Sequence, residues 1–192
     1  MFALRFDKSA IPELAARFRA DGDKAIEREV QPRVWRRGSF SRPDFLAVCR
    51  WKSPRIVHQC TTNTDDFIES VTRTALTTKD ERLRIEVLTL LNGVGWPTAS
   101  ALLHFGTRDV YPILDFRVLW SLGFWELPTY EHKFWSAYTS YCRALAHEAG
   151  VSMRVLDRAL WQYSKDNQPG GPTQLDRGEA EIREGPAGPL NH

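Results

Sequence analysis

The sequence predicts an all-α protein, and three observations carry that reading. Stretch after stretch opens on a Pro, Asp or Thr start signal and continues with apolar residues three and four apart, the period of an amphipathic helix. No series of β-rich runs punctuated by hairpin turns occurs. With 192 residues, 42% hydrophobic and 26% charged, the chain can bury a real core as one domain or as two small lobes of one fold.

In chain order, the helical stretches are 12–20 (PELAARFRA), 43–51 (PDFLAVCRW), 64–76 (TDDFIESVTRTAL) and 79–91 (KDERLRIEVLTLL). Further helices fit 97–105, 116–122, 131–148 and 152–164. Between them, VWRRGSF (34–40) and RIVHQCTT (55–62) read as short strands. From Asn167 onward the chain is Pro, Gly and charge, too poor in apolar residues to order itself. The expected organisation is a helical domain at 1–166 and a flexible polar tail at 167–192, with no internal repeat.

Charge is more informative locally than in total. The formal net is only +2, yet residues 28–55 hold Arg28, Arg33, Arg36, Arg37, Arg42, Arg50, Lys52 and Arg55 against Glu29 and Asp44. That stretch is either a solvated arginine face or a phosphate-binding patch. The three cysteines, Cys49, Cys60 and Cys142, form no C-x-x-C pair, which argues for buried thiols and against a disulfide framework or a zinc or iron–sulfur site. The first ten residues, MFALRFDKSA, have no apolar stretch long enough for a signal peptide, so a cytoplasmic location is expected.

The most informative segment is a 21-residue run without formal charge, Val87 to Thr107, broken at its centre by Gly-Val-Gly-Trp-Pro. A membrane span is excluded, because Asn92, Gly93, Gly95 and Pro97 fall mid-run and Pro97 would break the hydrogen-bond ladder in lipid. A dinucleotide-binding turn matches weakly: Gly93-Val94-Gly95-Trp96-Pro97-Thr98 puts Ala99 one place late, and no βαβ units follow. A helix, a tight hairpin and a helix use every residue. The first helix ends near Leu91, the glycines of Asn92 to Gly95 supply positive φ, and Pro97 opens the second helix where a missing N–H costs nothing. Val94 then points inward, and the N–H groups of Gly95 and the first turn face outward as an anion site for a DNA phosphate.

The stretch LNGVGWPTASALLHF resembles the L-x-G-V-G-x-x-T-A-x-x-x-L helix-hairpin-helix signature of the DNA base-excision glycosylase superfamily, which includes endonuclease III, the adenine glycosylases and the alkylpurine glycosylases. In that superfamily an aspartate opens the helix after the hairpin. Here GTRDVYPILDFRVLWSLG puts Asp115 in its place, with Val118 three residues on and a Pro112-to-Asp115 spacing similar to the alkylpurine branch. The resemblance covers about residues 80–123 and implies a two-lobed helix-hairpin-helix fold, the motif itself at about 80–105, with duplex DNA as partner. It also implies contacts to DNA from Asn92, Gly93, Val94, Gly95, Trp96 and Thr98, and a monovalent cation held by the carbonyls of Leu91, Gly93 and Gly95 as the sole candidate cofactor. Two departures matter. Pro97 stands where bifunctional members place a Schiff-base lysine, so no lyase step through that lysine is expected, and the four-cysteine iron–sulfur loop is absent.

As the resemblance implies, Asp115 would stabilise an oxocarbenium-like sugar while a flipped base departs, and orient the attacking water. Asp is also a favoured helix cap, and both roles fit one side chain. Trp51-Lys52-Ser53-Pro54-Arg55 is a basic-aromatic turn in which Lys52 and Arg55 are candidate DNA contacts and Trp51 a pocket candidate; a solvent-facing turn fits equally. Tyr111, beside Pro112, is a second pocket candidate, with core packing as the alternative. His104 falls on an apolar helix face and reads as structural. Two functions therefore stand open, a monofunctional DNA N-glycosylase and a catalytically silent DNA-binding or interaction module of the same fold. An unrelated helical protein with a chance Gly-Val-Gly turn is the third.

Overall fold

The computed structural model describes residues 1–19, 23–108 and 110–169, and among them every regular element is helical. In order these are α1 (Ile11–Arg17), α2 (Asp23–Ala25) running through a π turn (Ile26–Val30) into α3 (Gln31–Arg37), then α4 (Arg42–Lys52) and α5 (Val57–Cys60). There follow α6 (Asp65–Thr77), α7 (Glu81–Glu86), α8 (Trp96–Gly106), α9 (Phe116–Ser121), α10 (His132–Glu148) and α11 (Met153–Asn167).

Local chemistry sets the starts. Ser41, Thr64, Asp80, Asp115 and Ser152 cap α4, α6, α7, α9 and α11, each side chain accepting an N–H from the first turn that has no intrahelical acceptor. Pro12, Pro32, Pro43 and Pro97 sit in the first turns of α1, α3, α4 and α8.

The two stretches read as strands are helical instead. Residues 34–37 finish α3, which Gly38 closes at φ 70°, and 55–60 form a 3-10 turn (Pro54–Ile56) that runs into α5. Val34 and Ile56 are buried as a strand would bury them, but no strand among the described residues offers a ladder, so the backbone bonds within its own turns. At the other end α11 continues to Asn167, and the expected tail from 170 lies outside the described residues.

One continuous apolar cluster joins these helices. α1 lies along α11, which also packs on α9 and α10, while α8 is contacted by α3, α4, α6 and α7. Pro97 through Leu103, Phe105 and Gly106 are all buried, so α8 is enclosed on nearly every side. That explains the charge-free run: a helix surrounded by helices has no solvated face to carry charge. The N-terminal segment straps the end of α9, with Ala3 N–H donating to Leu122 O and Arg5 N–H to Ser121 O, both at 3.0 Å. No helix among the described residues is long and apolar enough to cross a membrane.

Candidate functional site

The hairpin forms as its residues dictate. α7 tightens into a 3-10 turn (Val87–Leu90), Val94 N–H donates to Leu91 O at 3.0 Å, and Gly93 takes φ 80°. Val94 is buried and pins the turn to the core. Gly93 leaves no room for a side chain: a Cβ there would lie 2.9 Å from Cys60 Sγ and 3.1 Å from Cys60 N. Asn63, which nothing in the local pattern singled out, clamps the turn from the side. Its carboxamide accepts from Asn92 N–H at 2.9 Å and donates to Asn92 O at 3.1 Å, while the Asn92 side chain donates to Thr62 Oγ1 at 2.9 Å. The exposed Asn92 is thus held on the α5–α6 turn.

Of the other residues expected to meet DNA, Gly95 caps α8 and Trp96 is half-buried against the core. Thr98 is buried, so its hydroxyl is withdrawn from any surface contact and only the backbone of that turn can serve a phosphate. Arg55 is exposed. Leu91 O and Gly95 O already accept from Val94 N–H and Ala99 N–H, which leaves each carbonyl one lone pair for a cation.

Ser100 connects the hairpin helix to Asp115. Its hydroxyl donates to Pro97 O at 2.7 Å and accepts Leu114 N–H at 2.8 Å, and from the opposite side Tyr138 OH donates to Ile113 O at 2.7 Å. Held between them, residues 113–114 deliver Asp115 to the start of α9. One carboxylate oxygen accepts Arg117 N–H at 2.9 Å, and the other accepts from Lys52 Nζ at 2.6 Å. Asp115 therefore caps α9 and at the same time faces a cavity of about 230 Å³ walled by Phe18, Trp51, Ile113 and Trp161. Its side chain is 19% exposed and that of Lys52 only 9%. The structure thus draws Lys52 inward, to a carboxylate rather than to an open surface.

Asp23, Arg154 and Asp157 complete the lining and belong to a buried ionic network that joins α2 to α11. Asp23 accepts from Trp51 Nε1 at 2.9 Å and pairs with Arg154 and, at 3.2 Å, Arg158. Arg154 also meets Glu27 at 2.8 Å and Asp157 at 2.6 Å, and its guanidinium lies 5.5 Å from the Trp51 ring centre. Burial pushes the Asp157 carboxyl up to about 6, with Arg154 opposing and the neighbouring Asp115 adding to the rise. This network sets the orientation of Trp51, and so the shape of the cavity.

Tyr111, the second pocket candidate, is elsewhere. Its hydroxyl donates to Glu81 at 2.7 Å, and it lines a separate groove of about 900 Å³ with Trp35, His104 and Arg143. His104 donates from Nδ1 to Tyr111 O at 2.7 Å, and desolvation, reinforced by Arg154, lowers its pKa to about 4. An uncharged, bonded His104 agrees with its structural reading. The three cysteines are buried and none is in a disulfide. Much of the basic stretch is occupied with holding the fold: Arg33 pairs with Asp44 at 2.7 Å, and Arg42 reaches Thr61 O at 2.5 Å and Asp65 at 3.0 Å. Arg33, Arg36 and Arg37 still line a shallow surface pocket of about 250 Å³.

Asp23, Phe18 and Asp157 were not legible as site residues, because each reaches the cavity from a helix remote in sequence and none lies in a motif. No group of three or more His, Cys, Asp or Glu among the described residues is arranged to hold a metal ion. No family model, no curated protein and no solved structure matches this chain.

Proposed function

We propose that the chain has the two-lobed helix-hairpin-helix arrangement of a DNA glycosylase, binds duplex DNA through the Asn92–Thr98 hairpin, and removes a base flipped into the Asp115 cavity. The observation that carries this reading is the carboxylate itself. Asp115 spends one oxygen on the α9 cap and presents the other, beside Lys52, to an aromatic-walled cavity braced through Ser100 to the hairpin helix. A carboxylate saturated by backbone N–H groups under packed side chains would have favoured a silent cap.

The chemistry follows from the lining. Phe18, Trp51 and Trp161 supply the aromatic part of the lining, and stacking of a base on an aromatic ring is worth roughly 1–3 kcal/mol. The volume, about 230 Å³, is below the roughly 300–1,000 Å³ of drug-sized ligand sites and suits one planar group. As the N-glycosidic bond breaks, the negative charge of Asp115 faces the developing positive sugar and orients the attacking water. The first-turn N–H groups of α8 hold a phosphate, and the backbone carbonyls of Leu91, Gly93 and Gly95 hold a monovalent cation.

The test is a panel of duplexes carrying alkylated, deaminated and oxidised bases, with alkali added to reveal abasic sites and binding followed in parallel at several salt concentrations. Abasic sites from the wild-type chain and none from Asp115→Asn, both binding, is the expected result. Salt-sensitive binding without cleavage of any duplex would shift the reading to a DNA-binding module in which Asp115 is only a cap. Absence of binding would overturn the nucleic-acid reading.

A further inference from the structure

We infer that the groove of about 900 Å³ beside Tyr111 is a second ligand site, one that takes a free nucleoside monophosphate, with the phosphate on Arg108 and Arg143 and the base beside Trp35 and Gln31. This goes beyond the duplex reading and does not depend on it.

Thr107, Arg108, Val110 and Tyr111 organise the site. Trp35 Nε1 donates to Thr107 O at 3.1 Å, which fixes the indole, and the Arg108 guanidinium lies 5.4 Å from the centre of that ring. Arg143, reaching in from α10, donates from Nε to Val110 O at 2.7 Å and sits 4.7 Å from the Tyr111 ring centre. Two cations are thereby tied to one short segment by aromatic stacking and a backbone bond. Neither pairs with a carboxylate among the described residues. A guanidinium stacked on a ring keeps its edge N–H groups for a ligand, and their planar fork matches the oxygens of a phosphate.

The rest of the lining does not cancel this charge. Glu81 is the sole carboxylate among the described lining residues; both its oxygens accept from Tyr111 OH at 2.7 Å, and Arg84 stands 3.7 Å away. Arg154, which also lines the groove, is committed to Asp23, Glu27 and Asp157. The surplus is positive and lies in a concavity, where low-dielectric walls focus the field on an entering anion.

A lone phosphate would leave most of the groove empty. Its volume falls within the roughly 300–1,000 Å³ of small-molecule sites, against about 230 Å³ for the Asp115 cavity. Trp35 and Val110 are 38% and 49% exposed, so apolar surface stands open beside the cations. Gln31 lies one turn before Trp35 on the same face of α3, and its carboxamide carries both a donor and an acceptor for the polar edge of a ring. A flat ring with a polar edge, joined to a phosphate, satisfies all of these groups at once.

The test is calorimetric titration of the full chain with adenosine, guanosine and uridine 5′-monophosphates, with adenosine and inorganic phosphate as partial ligands. At least one of the nucleotides is expected to bind, with adenosine and phosphate each about tenfold weaker or worse, the loss that follows from one missing charge-assisted bond or stacking contact. Arg108→Gln and Arg143→Gln are each expected to weaken nucleotide binding by about tenfold on the same ground, while Arg36→Gln, an exposed arginine outside the groove, leaves it unchanged. Thermal melting checks that the variants fold. No binding of any nucleotide, adenosine or inorganic phosphate binding as tightly as the nucleotide, or undiminished binding in both folded groove variants overturns the inference. The duplex cleavage and binding assays are separate readouts, so the reading of Asp115 stands or falls independently.

Discussion

Substituting alanine at two glycines separates backbone strain from close approach at the hairpin. Gly93 and Gly150 both hold positive φ, 80° and 64°, a region where a Cβ costs roughly 1–2 kcal/mol. Their surroundings differ. A Cβ on Gly150 meets nothing within 4 Å, whereas one on Gly93 lies 2.9 Å from Cys60 Sγ, 3.0 Å from Gln59 Cβ and 3.1 Å from Cys60 N. Two of those neighbours are a buried side chain and a backbone atom, which cannot swing away, so overpacking adds roughly 1–3 kcal/mol. Gly150→Ala is therefore expected to cost about 1–2 kcal/mol and Gly93→Ala about 2–5 kcal/mol. At about 2–4 °C per kcal/mol for a chain of this size, thermal unfolding followed by circular dichroism should separate the two by several degrees. Gly93→Ala should also weaken duplex binding if the hairpin carries it, while Gly150→Ala should not. Equal melting shifts would refute the claim that the hairpin is seated on α5, because conformational strain alone predicts them.

Two further perturbations address the cavity walls and the helix that serves them. The low pKa of His104, about 4 against an ordinary 6.5, means that folding releases a proton between those values, so its contribution is full above pH 6.5 and is lost as pH falls toward 4. Asp157, raised from 3.8 to about 6, works in the opposite sense, with its contribution full below pH 3.8 and lost as pH rises through 6. Between pH 4 and 6 the two slopes, about 1.4 kcal/mol per pH unit each, offset one another. Asp157→Asn should unmask His104, with stability relative to wild type rising by about 3 kcal/mol across that window in urea titrations; a parallel pair of curves would sink the assignment. Ser100→Ala strands the buried Leu114 N–H and should cost about 1–3 kcal/mol in denaturant titrations; if the proposed glycosylase reading holds, cleavage falls more than DNA binding, since the segment carrying Asp115 loses its brace. Unchanged stability would show that the brace contributes nothing.

The sequence by itself determined the helical class, the eight helical stretches to within a few residues, and the hairpin at Asn92–Gly95, because these depend on contacts within a few positions: caps at Thr64 and Asp115, Pro97 in a first turn, positive φ at Gly93. It also singled out Asp115 as the catalytic candidate and Trp51 and Tyr111 as pocket candidates, of which Asp115 and Trp51 line one cavity and Tyr111 another. The strand reading of 34–40 and 55–62 failed because β-branched residues bury equally well in a helix, and only the presence of a partner strand decides between the two. Tertiary structure alone decided the rest. Whether Lys52 faced solvent or Asp115 depended on how the end of α4 meets the start of α9, and Tyr111 went to another groove because its hydroxyl found Glu81. Asp23, Glu27, Arg154 and Asp157 form one network only once α2 and α11 are packed together, since buried charges are tolerated where partners from distant segments converge on them.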